Sequence, residues 1–148
     1  GTAVLELGSV LIRCHWVVGS DTGPLHLSVV WGAKAVGWYF ARARVHETGP
    51  YGEGHYVWQY HQSVGPCSNE NSELMGRPGL PQVWPVEETI GLLSGDTVNS
   101  SKGPWSLWES QHDVLGTFYQ APDYPENLHD TRRKIWEELS PTVASVAS

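Results

Sequence analysis

Apolar and polar residues alternate along two neighbouring segments, Val36–His46 and His55–His61, joined by the turn-forming run Glu47–Gly54. Side chains of a strand point to opposite faces in turn, so each segment reads as a strand with a packing face and a polar face. In the first, Arg42, Arg44 and His46 share one face and Tyr39, Ala41, Ala43 and Val45 the other. In the second, His55, Gln59 and His61 alternate with Tyr56, Trp58 and Tyr60. The pairing that sets small Ala41 and Ala43 against the large rings fills space best, and it gathers the arginines, histidines and Gln59 on one side. A one-residue slip would mix the two sets.

Upstream, Thr2–Val18 reads as a long strand with a bulge at Gly8-Ser9, and Gly19–Pro24 is a turn by composition. Leu25–Trp31 reads as a further strand, with His26 and Ser28 opposite the apolar set. Four successive strands at this spacing predict an antiparallel sheet. Gln82–Leu93 contributes a strand or a short helix, and Pro104–Gln120 fits either helical spacing or a strand from Val114. Asp123 and Glu126 have the spacing of a capping box, and Leu128, Ile135, Trp136 and Leu139 form an apolar stripe that ends at Pro141. The expected architecture is mainly β: an antiparallel β-barrel or strongly curved sheet with a C-terminal helix at about 124–139. It forms one domain over residues 1–140, followed by a flexible tail at 141–148. The consecutive strands argue against a doubly wound fold.

Composition narrows the function classes. The net charge of −7, with only 9 Lys plus Arg, excludes a phosphate-reading surface, so no nucleic-acid partner is expected. No apolar run reaches membrane-span length, which predicts a soluble chain with no membrane partner; secretion stays open. The two cysteines, Cys14 and Cys67, are too few for a disulfide scaffold. Eight tryptophans and six tyrosines suit either a pocket or a core of large rings.

The candidate chemistry is an anion pocket. Arg42 and Arg44 would hold a carboxylate, or the oxygen of an enolate or carbonyl group, and His61 would donate or remove a proton. Trp38, Phe40, Gln59, Trp58 and Tyr60 would bind the ligand beside them. The alternative is that this face meets water, as polar sheet faces commonly do. Seven histidines occur without a zinc spacing, and phosphate-loop and dinucleotide fingerprints are missing, so neither a metal nor a cofactor is expected. The leading expectation is a small-molecule-binding barrel acting as a cofactor-free isomerase, cyclase or dehydratase. The alternative is a carbohydrate- or protein-binding module that exposes Trp84, Trp105 and Trp108, and a third is a subunit that buries its rings in a homo-oligomer.

Overall fold

The computed structural model describes residues 2–41, 43–61 and 81–121. In chain order they form α1 (Thr2–Leu11), β1 (Trp16–Gly19), α2 (Gly23–Val30), β2 (Lys34–Tyr39), α3 (Val45–Thr48) and β3 (Tyr56–Tyr60). Helix α4 (Val86–Leu93) and strands β4 (Ser101–Lys102), β5 (Trp105–Asp113) and β6 (Gly116–Gln120) complete them.

The sheet is mixed and open, ordered β1-β2-β3-β5-β4, with β6 also pairing β5. Strands β1, β2 and β3 run parallel, with Val18 opposite Val36 and Trp38 opposite Trp58. β5 pairs antiparallel with β3, β4 and β6. The expected antiparallel barrel is therefore wrong. The two alternating segments are not a hairpin: β2 and β3 point the same way, and α3 lies in the crossover between them, as parallel neighbours require. The proposed C-terminal helix and tail lie outside the described residues.

The error has a physical origin. Leu25–Trp31 looked like a strand because Leu25, Leu27 and Val29 alternate, yet Gly23-Pro24 begins a helix, with proline in its first turn. Likewise Thr2–Leu11 is helical: Leu11 and Gly8 are buried on one side, and the Trp31 ring passes so close to Gly8 that a Cβ there would lie 2.7 Å from it. Pro104–Gln120 resolves into the β5–β6 hairpin, and Gln82–Leu93 supplies α4.

Both faces of the sheet are covered, as parallel strands usually require. One core joins Leu25, Ala35, Tyr39, Val45, Val57 and Tyr119. The other joins Val36, Trp58, Leu92, Trp105 and Leu107, with Trp38, Phe40 and Trp84 packed around it. The polar positions of β3 thus face a helical layer rather than water. Gln59 and His55 are only 4% and 5% exposed. The Gln59 carboxamide accepts from Val45 N (2.9 Å) and donates to the carbonyls of Ala43 (3.1 Å), Tyr39 and Tyr60 (both 3.3 Å). His55 accepts at Nδ1 from Ala35 N (3.0 Å), and burial lowers its pKa.

Candidate functional site

Parallel strands bring their carboxyl ends to one edge, and in open α/β sheets this edge is where ligands bind. Here it carries Ser20-Asp-Thr22 after β1, Phe40, Ala41, Ala43 and Arg44 after β2, and His61 after β3.

The segment after β1 leads straight into α2. The first bond of the helix runs from His26 N to Thr22 O, so the N–H groups of Gly23 and Leu25 precede it, and Pro24 has none. Thr22 is the N-cap, but its hydroxyl donates to Ser20 O (3.4 Å) and makes no capping bond. The Asp21 carboxylate accepts from His26 Nε2 (2.8 Å) through one oxygen and from Thr48 Oγ1 (2.7 Å) through the other. A carboxylate only accepts, so Nε2 carries the hydrogen and Nδ1 is left for a further partner. Asp21 thereby ties the start of α2 to α3. The Tyr39 hydroxyl donates to Thr48 O (2.6 Å); burial first, and the Asp21 charge second, push its pKa up, so it stays a neutral donor.

The segment after β2 is strained. Ala41 has φ 54°, in the left-handed region that non-glycine residues enter at a cost of about 1–2 kcal/mol. Arg44 holds it there: Nη1 donates to Ala41 O (2.9 Å) and Ala43 O (3.1 Å). Such strain persists where the surroundings over-determine it, and the buried Gln59 amide supplies the rest of that constraint.

After β3, His61 Nε2 is hydrogen-bonded to Ser106 Oγ, which also receives Trp108 Nε1 (3.0 Å). Partial burial, then the neighbouring Arg44 charge, lowers the pKa of His61.

Two recesses open at this edge, on opposite faces of the sheet. The first, about 360 Å³, is lined by Arg44, Val45, His46, Gln59, Tyr60, His61 and Trp108. The second, about 530 Å³, is lined by Val18, Gly19, Ser20, Trp38, Phe40, Trp84 and Val86. Trp84 lies 5.5 Å from Trp38 and 5.3 Å from Phe40 between ring centroids. Of the residues expected to form one pocket, Arg44, Gln59, Tyr60 and His61 meet in the first recess and Trp38 and Phe40 in the second. Trp58 is fully buried and lines neither. Arg42 is outside the described residues. The supposed sugar platform is divided: Trp105 is 1% exposed, with its indole donating to Val83 O (2.7 Å), while Trp84 and Trp108 line different recesses. Sequence reasoning missed Asp21, His26 and Thr48. The available signal was Asp-Thr-Gly-Pro at 21–24, an N-cap residue followed by proline in the first turn, which marks a helix start.

Among the described residues no helix is long and apolar enough to cross a membrane, and no group of three His, Cys, Asp or Glu could hold a metal ion. Neither curated proteins nor solved structures match the chain. Residues 2–76, from α1 through β3 and beyond, match the family described as glycosyltransferase family 9 (heptosyltransferase). This overturns both expected functions, the barrel isomerase or dehydratase and the non-catalytic binding module: the family is one of enzymes, and those enzymes are transferases. The match spans just over half of the 148 residues, and the chain belongs to glycosyltransferase family 9.

Proposed function

We propose that this chain takes part in glycosyl transfer from a nucleotide-sugar donor, with heptose as the transferred sugar that the family description suggests. The donor would lie across the carboxyl edge of β1 and β2. The observation that carries this reading is the start of α2: an uncapped helix N-terminus at the end of a parallel strand, beside the Asp21–His26 pair. Backbone N–H groups and the helix dipole at such a terminus favour phosphate oxygens. His26 Nδ1, when protonated, would add a donor, while both Asp21 oxygens are already engaged and turned to His26 and Thr48. The cleft of Trp38, Phe40 and Trp84 adjoins this turn through Gly19 and Ser20 and offers an apolar wall to a ring of the donor.

In glycosyl transfer the acceptor oxygen forms a bond to the anomeric carbon as the bond to the donor phosphate breaks. The electron pair stays on the leaving phosphate oxygen, and the acceptor proton passes to a base. Negative charge therefore grows on the phosphate, where pre-aligned N–H groups stabilise the transition state more than the ground state.

Titration calorimetry with nucleoside diphosphates and nucleotide sugars tests the proposal. Binding is expected, weakened about tenfold in His26→Ala, the loss of one charge-assisted hydrogen bond at roughly 1.5 kcal/mol. Absence of binding to every compound, or equal affinity in His26→Ala and Asp21→Ala, would refute it.

A further inference from the structure

Asp21 stands in the short segment between β1 and α2, and its carboxylate bonds to side chains of two other elements: His26 in α2 and Thr48 in α3. Thr48 comes 27 residues later in the chain, and the sheet beneath it sets its place. Tyr39 of β2, fully buried, donates to the Thr48 carbonyl (2.6 Å). Tyr119 of β6, also buried, donates to the Pro50 carbonyl (2.7 Å). Between these clamps Gly49 lies so close to the Tyr119 ring that a Cβ would come within 2.3 Å of it. Thr48 N and Gly49 N close the turn on the carbonyls of Arg44 and Val45, both at 3.0 Å. Two phenol hydroxyls, one on each side of Gly49, thus tie the backbone around Thr48 to two strands, while the residue itself stays exposed.

A threonine hydroxyl has one hydrogen to give. A carboxylate only accepts, so that hydrogen goes to Asp21 Oδ2 at 2.7 Å, and the Arg44 carbonyl at 3.3 Å is the weaker contact. Asp21 then has a donor on each oxygen, Thr48 on one and His26 Nε2 (2.8 Å) on the other. With one bond the carboxylate could still turn about its side-chain torsions; two bonds from separate helices set its plane. That plane in turn sets His26. The ring cannot flip, or move its hydrogen to Nδ1, without losing a charge-assisted bond. The same two bonds keep both Asp21 oxygens from a phosphate at the start of α2, which an unpaired carboxylate would repel.

We propose that Thr48 is the residue that positions the Asp21–His26 pair and, through it, the donor phosphate. It touches no substrate itself. It fixes Asp21, and Asp21 holds the His26 ring by Nε2, so that Nδ1 is left for the phosphate. This role in binding rests on the donor reading above, whereas the state of the His26 ring does not.

Thr48→Val is the test, because valine matches threonine in shape and keeps the backbone bonds to Tyr39 and Arg44. Nitrogen-15 NMR of the whole chain at alkaline pH should show the His26 hydrogen on Nε2 in the parent. In Thr48→Val the Nδ1–H form should gain about fivefold over the Nε2–H form, the effect of one partly exposed charge-assisted hydrogen bond. Calorimetry with ADP, GDP and UDP should show binding weakened about fivefold by the same change. Thr48→Ser, which keeps the hydroxyl, should restore both readouts. Thr48→Val added to His26→Ala should weaken binding no further than His26→Ala alone, since Thr48 acts through that ring. Unchanged His26 signals in Thr48→Val would overturn the proposal. So would parent-level affinity in Thr48→Val beside weakened binding in His26→Ala. A parent chain that binds none of the three nucleotides, with the His26 tautomer still shifted in Thr48→Val, would refute the donor reading while supporting Thr48 as the residue that positions the pair.

Discussion

Replacing Gln59 by leucine tests the hydrogen-bonded layer beneath the candidate site. The two side chains are similar in volume, so the change removes polarity rather than packing. Gln59 is 4% exposed, and its amide serves Val45 N at 2.9 Å and Ala43 O at 3.1 Å, with longer contacts to Tyr39 O and Tyr60 O at 3.3 Å. A typical net hydrogen bond is worth about 1 kcal/mol, but a buried donor left without a partner costs about 1–3 kcal/mol. Val45 N would be such a donor. The other lost bonds add about 1–2 kcal/mol, and better transfer of leucine out of water offsets about 1 kcal/mol, so the expected net loss is about 2–3 kcal/mol. At roughly 2–4 °C per kcal/mol for a domain of this size, Tm falls by about 4–12 °C. Gln59→Glu sharpens the test. At neutral pH a carboxylate still accepts from Val45 but faces three carbonyl oxygens, so burial and repulsion raise its pKa in the fold. A raised carboxyl pKa contributes stability below the unfolded value, about 4.3, that is lost as pH rises through the folded value. Relative to the parent chain at each pH, Gln59→Glu should therefore recover stability on acidification. Urea melts followed by tryptophan fluorescence measure both variants. A Gln59→Leu chain within about 0.5 kcal/mol of the parent would refute the reasoning, because that is the scatter of ordinary surface changes.

Two other predictions address different parts of the fold. A Cβ at Gly49 would lie 2.3 Å from the Tyr119 ring and 2.6 Å from Val45 O, so Gly49→Ala should cost about 2–3 kcal/mol in denaturant melts; a neutral substitution would mean that Tyr119 does not pack on this turn. Burial lowers the pKa of His55 in the fold below its ordinary value of about 6.5, so the unfolded chain binds the proton first. Stability is then complete above about pH 6.5 and falls as pH drops from there toward the lower folded value; His55→Gln should flatten this slope, and an unchanged pH profile would count against it.

Much of the local reading of the chain was sound where it depended on period alone. The alternation in Tyr56–Tyr60 does mark a strand, with Trp58 and Gln59 on opposite faces, but the segment read as a strand over Val36–His46 is one only as far as Tyr39, and Val45–Thr48 is helical. The candidate residues Arg44, Gln59, Tyr60 and His61 do come together. The reading failed where alternation was taken as proof of a strand, in Thr2–Leu11 and Leu25–Trp31, because an eight- or ten-residue helix with apolar residues on several sides carries much the same pattern. It failed again where polarity was taken as contact with water or a barrel interior. Gln59 and His55 are polar because the backbone of the next layer needs partners, a need that no one-dimensional pattern records.

Strand direction was the decisive unknown. Sequence by itself determined that residues 36–61 hold two strands separated by a glycine-rich connection and that large rings must be buried around them. Whether that connection closes a hairpin or crosses over to a parallel neighbour depends on long-range packing: α2 and α3 covering one face, α4 and Trp84 the other. Only the tertiary structure decided this, and with it the edge that carries the candidate site. Parallel strands put the ends of β1, β2 and β3 side by side, so Asp21, Arg44 and His61, 40 residues apart from first to last, stand at one edge of the sheet. In an antiparallel order the same residues would have been divided between its two ends.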